Sequence, residues 1–274
     1  MSRERFWRWL FEAVRQQRAR LDPLMQRPRF ARLAYRGYER VLALSERSAG
    51  PDAGLPVPPA LLRVGVIGVP PRESFLQTGR EAAASLTGLF ARSGLELADS
   101  RALLDFGCGC GRVARHWRLP DVDVHGCDYN PELIGWVAAN LPHVTALRNG
   151  PEPPAPYPDE RFGAIYAISV LTHLGPEAQR AWIGDLARIL RPGGRLLFTT
   201  HGDTLAHLLD NDERARYDEG LPVTRYIGAA GSNLCAAFHP RAWVETLTAG
   251  LHVELVHEGG APGLGEQDVW IVSR

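Results

Sequence analysis

Three glycines alternate through the stretch Leu103-Leu104-Asp105-Phe106-Gly107-Cys108-Gly109-Cys110-Gly111-Arg112. A main chain without Cβ atoms lets a ligand approach the backbone closely, and a helix opening after such a turn offers unpaired N–H groups. A second carboxylate, Asp128, ends the next apolar run, 17 residues past Gly111 (128 − 111). A carboxylate there can accept both hydroxyls of a ribose, which requires a nucleoside without a 2′-phosphate. Spacing separates this pattern from a dinucleotide site, whose third glycine comes three residues after the second. Here the glycines fall at 107, 109 and 111 and an arginine follows directly. Asp105 stands two residues before the first glycine, where it could reach an ammonium group. The combination suits a ligand with an amino-acid end and an adenosine end but no phosphate. The alternative is a turn that merely joins a strand to a helix. Asp128 and the alternating elements around it weigh against that alternative.

Two histidines are candidates for proton transfer. His173 and His201 each follow the C-terminal end of an expected strand, and imidazole titrates near neutrality. The competing reading gives each a backbone hydrogen bond at a strand end. Cys108, Cys110 and Cys127 do not make a metal site, because zinc sites use Cys-x₂₋₄-Cys pairs and Cys108-x-Cys110 lies inside a tight turn. No metal is expected.

The elements that must position these residues follow from periodicity. RALLDF (101–106), VDVHGCD (122–128), VTALR (144–148), FGAIYAIS (162–169) and RLLFTT (195–200) read as strands. Between them RVARHW, PELIGWVAAN and PEAQRAWIGDLARIL read as helices, the last stopped by Arg191-Pro192-Gly193-Gly194. Glu73–Ala91 carries helical periodicity before the first strand, and His239–Ala249 reads as a late helix. His252–Val256 and Asp268–Val272 complete a sheet whose last strand returns antiparallel. The expected fold is α/β: a Rossmann-like, seven-stranded, mostly parallel sheet with helices on both faces and an N-terminal helical cap. Right-handed crossovers then gather the strand C-termini, and the candidate residues, on one edge. The chain divides into residues 1–72, a helical extension with a Pro/Gly-rich irregular connection over 48–72, and a ligand-binding domain over 73–274. Residues 201–238 are too long for a plain connector and read as a substrate lid.

Composition narrows the class. At 45% hydrophobic and 23% charged residues the chain can bury an ordinary core. No apolar run approaches the ~18 residues of a membrane span, and the start lacks a secretory pattern, so a cytoplasmic location is expected, with reduced cysteines. All 31 basic residues are arginine, and residues 1–40 hold 11 of them against Glu4, Glu12, Asp22 and Glu39, a local charge of +7. Ser2–Leu21 reads as a basic helix with Phe6, Trp7, Leu10, Phe11 and Val14 at helical spacing. Packing on an acidic remainder is the favoured reading over membrane-surface contact. No RNA-binding signature is present, which argues against a nucleic-acid substrate. The oligomeric state is left open.

Residues 101–202 resemble class I S-adenosylmethionine-dependent methyltransferases of the bacterial type-11/12 kind. LLDFGCGCGR is similar to their motif I, HGCD to motif II, RFGAIYAISVLTHL to motif IV, and ARILRPGGRLLFTTHG to the segment entering the fifth strand. FHPRAWVETL and QDVWIV extend a weaker similarity to the end. Gly163 departs from the family, which usually has Asp after Phe. The resemblance implies S-adenosyl-L-methionine as cofactor and a small-molecule acceptor methylated on O or N. It implies that the backbone of Gly107, Cys108 and Gly109, followed by Gly111, holds the methionine portion, with Asp105 near its ammonium and Arg80 near its carboxylate. Asp128 would take the ribose, Tyr129 and Asn149-Gly150 the adenine, and Ser169 would lie beside the methyl group. Two rival functions stand beside it: a nicotinamide-dependent oxidoreductase on a related fold, and a non-catalytic scaffold that binds the cofactor.

Overall fold

A computed structural model describes residues 36–37, 39–41, 43–44, 50–68 and 71–274. The expected basic helix Ser2–Leu21 lies outside these residues. Helices α1 (Ala60–Ile67) and α2 (Arg72–Arg92) lead into strands β1 (Ala102–Phe106) and β2 (Asp123–Asp128). Helix α3 (Pro131–Asn140) joins β2 to β3 (Thr145–Arg148), and β4 (Phe162–Ala167), α4 (Pro176–Ile189) and β5 (Leu190–Thr200) follow. Residues 201–238, the expected lid, contain α5 (Asn211–Asp218), β6 (Val223–Arg225) and β7 (Ala236–Phe238); α6 (Arg241–Leu247), β8 (His252–His257) and β9 (Asp268–Ser273) follow.

The seven-stranded sheet runs β3-β2-β1-β4-β5-β9-β8. Strand β9 is antiparallel to both of its neighbours and the other six share one direction. Every residue of β1, β4 and β9 is buried, as expected of strands covered on both faces. Alternation along β1 feeds two cores. Leu103 points to the α2/α3 side with Leu86, Phe90, Val137, Trp117 and Tyr166. Leu104 and Phe106 point to the α4/α6 side with Trp182, Ile183, Leu186 and Val244. Strand order reverses between β1 and β4, which opens a crevice at their C-terminal ends.

Several expectations change. The helix expected at RVARHW is one 3₁₀ turn, Ala114–His116. Gly111 at φ 77° delays any helical start, and Trp117 is drawn into the core, its indole N–H donating to Tyr166 Oη at 2.8 Å. The connection expected to be irregular over 48–72 contains α1. It is bracketed by Pro59 and by Gly68 in the left-handed conformation, the proline-before, glycine-after asymmetry of a helix. The expected Arg191–Gly194 helix stop lies inside β5, as a bulge where pairing jumps from Phe162↔Leu190 to Ala164↔Arg195. Strand β4 ends at Ala167, before Ser169.

The bulge accounts for Gly163. A Cβ there would stand 2.2 Å from the Ser100 carbonyl oxygen and 2.9 Å from the Arg191 guanidinium carbon, and Arg191 is itself held by the Asp99 carbonyl at 3.1 Å. The room a family Asp would need is taken first by the Ser100 backbone carbonyl and then by this arginine. Restoring the aspartate, Gly163→Asp, is expected to lower the melting temperature by about 3–10 °C by overpacking; a thermal scan of the two proteins reads it.

Candidate active site

The crevice is organised by hydrogen bonds between the β1 turn and β2. The N–H groups of Gly107 and Cys108 both donate to the Cys127 carbonyl, at 2.9 and 3.0 Å. The Gly109 N–H donates to Asp128 Oδ2 at 2.9 Å, and the Asn130 N–H to Oδ1 at 2.8 Å. Gly107, Gly109 and Gly111 all have positive φ. Each also lacks room: a Cβ would approach Val170, Val66 and Leu141 respectively at 2.5–2.6 Å. Three successive N–H groups are committed to β2 and the glycine faces are covered by Val170, Val66 and Leu141, so the loop offers a ligand its carbonyl oxygens.

Asp128 is buried and its pKa is raised, burial outweighing the two N–H donors. Each carboxylate oxygen keeps a free lone pair for a hydroxyl donor. Asn149, beyond β3, is buried with its N–H on the Asp128 carbonyl and its Nδ2 on the Gly150 carbonyl. Its Oδ1 is buried with no partner among the described residues, an acceptor suited to an exocyclic amine such as that of adenine. Tyr129 is 40% exposed, and its hydroxyl donates to the Gly231 carbonyl at 2.7 Å.

Asp105 is placed differently from these. Its carboxyl faces the first core, bonded to the Tyr166 hydroxyl and the Ala114 backbone, and burial raises its pKa to about 7 despite Tyr166 and Arg112. Arg112 is anchored by the carbonyls of Thr78 and Gly263, at 2.9 and 3.0 Å. Arg80, on α2, is half-exposed and pairs with Asp52 at 3.8 Å; among the described residues no hydrogen bond or ion pair joins it to the glycine turn.

Beyond β4, Ser169 adopts φ 59°. Its N–H donates to Thr199 Oγ1 and its Oγ accepts from Gln267 Nε2. His173 Nδ1 lies 2.6 Å from the Cys235 carbonyl, and His201 Nδ1 lies 3.0 Å from that of Ala237. A carbonyl only accepts, so both rings carry their proton on Nδ1 and a lone pair on Nε2. Burial lowers both pKa values, that of His201 to about 4 with a further push from His173. His239, not counted among the candidates, is fully buried beside them and lowered to about 3 by burial and His201.

Two segments roof this edge. Strands β6 and β7 pair antiparallel, and Phe238 bridges to His201 at the end of β5. From the same lid the Gly231 N–H reaches the His173 carbonyl at 2.8 Å, and Asn233 Nδ2 reaches the Gly65 carbonyl at 3.1 Å. Helix α1 adds Val66 over Gly109 and the Leu62 carbonyl against Cys110 Sγ. All four cysteines are buried, unpaired thiols. Among the described residues no cluster of three or more metal-ligating side chains occurs, and no helix is long and apolar enough to cross a membrane.

A methyltransferase domain pattern matches residues 76–248, more than half of the chain and the whole of this site's glycine turn, Asp128 and histidines. The chain belongs to this methyltransferase family. The methyltransferase is 30% identical over 115 residues to the tRNA N(3)-cytidine methyltransferase METTL2 of Gallus gallus, covering 38% of this chain and 31% of that one. It is 29% identical over 161 residues to an uncharacterized methyltransferase of Mycobacterium bovis, covering 58% and 64%. The chain thus spans 31% and 64% of the length of these two relatives. Its fold is also that of the magnesium protoporphyrin IX methyltransferase of Synechocystis PCC 6803, solved with bound SAH: TM-score 0.51, 15% identity, 74% of this chain and 86% of that chain.

The family's cofactor is S-adenosyl-L-methionine, and this chain's donor set fits it: a ribose-competent carboxylate at Asp128 and, among the described residues, an unpaired buried acceptor at Asn149 Oδ1.

The Asp105 carboxyl has a testable signature. Its folded pKa of about 7 exceeds the ordinary aspartate value of 3.8, so its share of stability is full below pH 4 and is lost as pH rises through 7. Asp105→Asn keeps an acceptor for Tyr166 but cannot ionise. Melting temperatures of the two proteins should diverge in the variant's favour from pH 5 to pH 8.

Proposed function

We propose that the chain transfers a methyl group from S-adenosyl-L-methionine to an oxygen or nitrogen atom of a small molecule. The observation that carries this reading is the Asp128 carboxylate, locked to the glycine turn through Gly109 while keeping lone pairs for a ribose. Gly107, Cys108 and Gly109 would face the methionine portion, Tyr129 and Asn149-Gly150 the adenine, and Ser169 the methyl group. Asp105 would act on the ammonium through the turn that it braces, and Arg80 would have to leave Asp52 to meet the carboxylate.

When bound, the cofactor supplies a methyl group on a sulfonium, a leaving group already activated. The chain's task is then alignment and exclusion of water. Alignment can supply up to ~7–11 kcal/mol in well-oriented systems. Where the acceptor atom carries a proton, His173 or His201 would remove it through its Nε2 lone pair, typically a ~10²–10⁴-fold effect. The roof of lid and α1 supports a small acceptor over a large one, and the chain lacks an Asn-Pro-Pro-Tyr element of amino-methylating nucleic-acid enzymes. Four free buried thiols accord with a cytoplasmic setting.

Asp128→Ala removes charged hydrogen bonds to the ribose and is expected to weaken S-adenosyl-L-methionine binding by about 10–150-fold in calorimetry. Unchanged affinity would overturn the site. With methyl-labelled cofactor and a metabolite extract, label should appear in a small-molecule product, and His173→Ala or His201→Ala should slow its formation about 10²–10⁴-fold if that residue is the base. Label confined to RNA or protein would overturn the acceptor class.

A further inference from the structure

Gln267 stands just before β9, where that strand meets the ends of β4 and β5. Its amide closes a ring of hydrogen bonds. The Ser169 N–H donates to Thr199 Oγ1 at 2.8 Å, Thr199 Oγ1 donates to Gln267 Oε1 at 2.5 Å, and Gln267 Nε2 donates to Ser169 Oγ at 2.7 Å. His201 decides which way round the amide sits. Its Nδ1 proton is spent on the Ala237 carbonyl, so its Nε2 is a lone pair, 3.5 Å from Gln267 Nε2. An amide oxygen turned there would meet that lone pair; the amide nitrogen offers it a hydrogen.

Two consequences follow from this polarity. Ser169 sits at φ 59°, a strained backbone state that persists only where the surroundings over-determine it. Thr199, Gln267 and the Thr172 hydroxyl on the Ser169 carbonyl do so. And because Ser169 Oγ accepts from Gln267, its own proton stays free to be given elsewhere.

We propose that Gln267 is the positioning residue of the acceptor site: it holds Ser169 in its strained conformation with the hydroxyl proton free for an incoming lone pair, and it faces His201 with a donor that keeps Nε2 unprotonated. This role rests on the methyl-transfer reading of the same crevice. The titratable neighbours of His201 are His173 from the turn after β4 and His239 after β7, and the ring of Phe238 packs on it at 5.4 Å. The Asp268 carboxylate, next to Gln267, is turned to the Gly259 N–H and against Gly202.

Gln267→Glu tests the polarity without knowledge of the acceptor. A carboxylate can only accept, so it takes the protons of both Thr199 and Ser169 and sets a negative charge before His201. An NMR titration of the imidazoles should show His201 rising by about 1–3 pH units from its wild-type value. Gln267→Leu should lose thermal stability and leave the His201 midpoint low. A His201 midpoint in folded Gln267→Glu equal to that of wild type would overturn the role. The wild-type protein supplies a second check should the variant not fold: long-range proton–nitrogen spectra should show His201 as the Nδ1–H tautomer, and an Nε2–H tautomer would overturn it equally. Failure of the wild type to bind S-adenosylhomocysteine would instead remove the methyltransferase reading and leave the ring of bonds intact.

Discussion

The Gly109 N–H bonded to the Asp128 carboxylate ties two neighbouring strand ends into one rigid corner. Parallel strands leave their C-terminal groups side by side, and without a crosslink each turn could drift independently. Here the glycine turn spends its first three N–H groups on β2, two on a backbone carbonyl and one on a carboxylate. The corner therefore exists before any ligand arrives. Preorganisation of this kind is what alignment catalysis requires, because ordering the site during the reaction would consume the advantage.

Around that corner the protein uses burial to set protonation. Asp105, walled in by Tyr166 and Trp117, holds its proton far more tightly than a solvated aspartate. The three histidines at the opposite end of the crevice are driven the other way and stay neutral. Both effects have one cause, the cost of charge in an apolar surround. Asp128 differs from both: burial raises its pKa too, but two backbone N–H donors offset part of that cost. The roof completes the crevice. Val66 and Val170 close on the bare faces of Gly109 and Gly107, and the lid reaches both His173 and helix α1.

What could be read in the sequence was what depends on local spacing. Strands β1 to β4, helices α2 to α4 and the antiparallel β9 follow from periodicity within a residue or two, whereas β5 begins five residues before its expected start at Arg195. The glycine turn and Asp128 were visible for the same reason: they sit at the ends of strands β1 and β2. What escaped depends on contacts distant in sequence. The helix after the glycine turn is replaced by a 3₁₀ turn because Trp117 is claimed by Tyr166, 49 residues on. Helix α1 hides in a proline-rich stretch, though Pro59 and Gly68 mark its ends. Gln267 gives no local signal at all, since its three partners lie on Ser169, Thr199 and His201. Arg80 illustrates the converse, a plausible helix position whose partner is a surface aspartate.

Hydrogen exchange of the backbone, measured with and without S-adenosylhomocysteine, addresses the corner most directly. The account requires added protection in five separated stretches at once: residues 104–112, 128–130 and 149–150, and the roof at 62–68 and 227–235. Protection confined to some other face, or exchange in the glycine turn indifferent to the ligand, would contradict it.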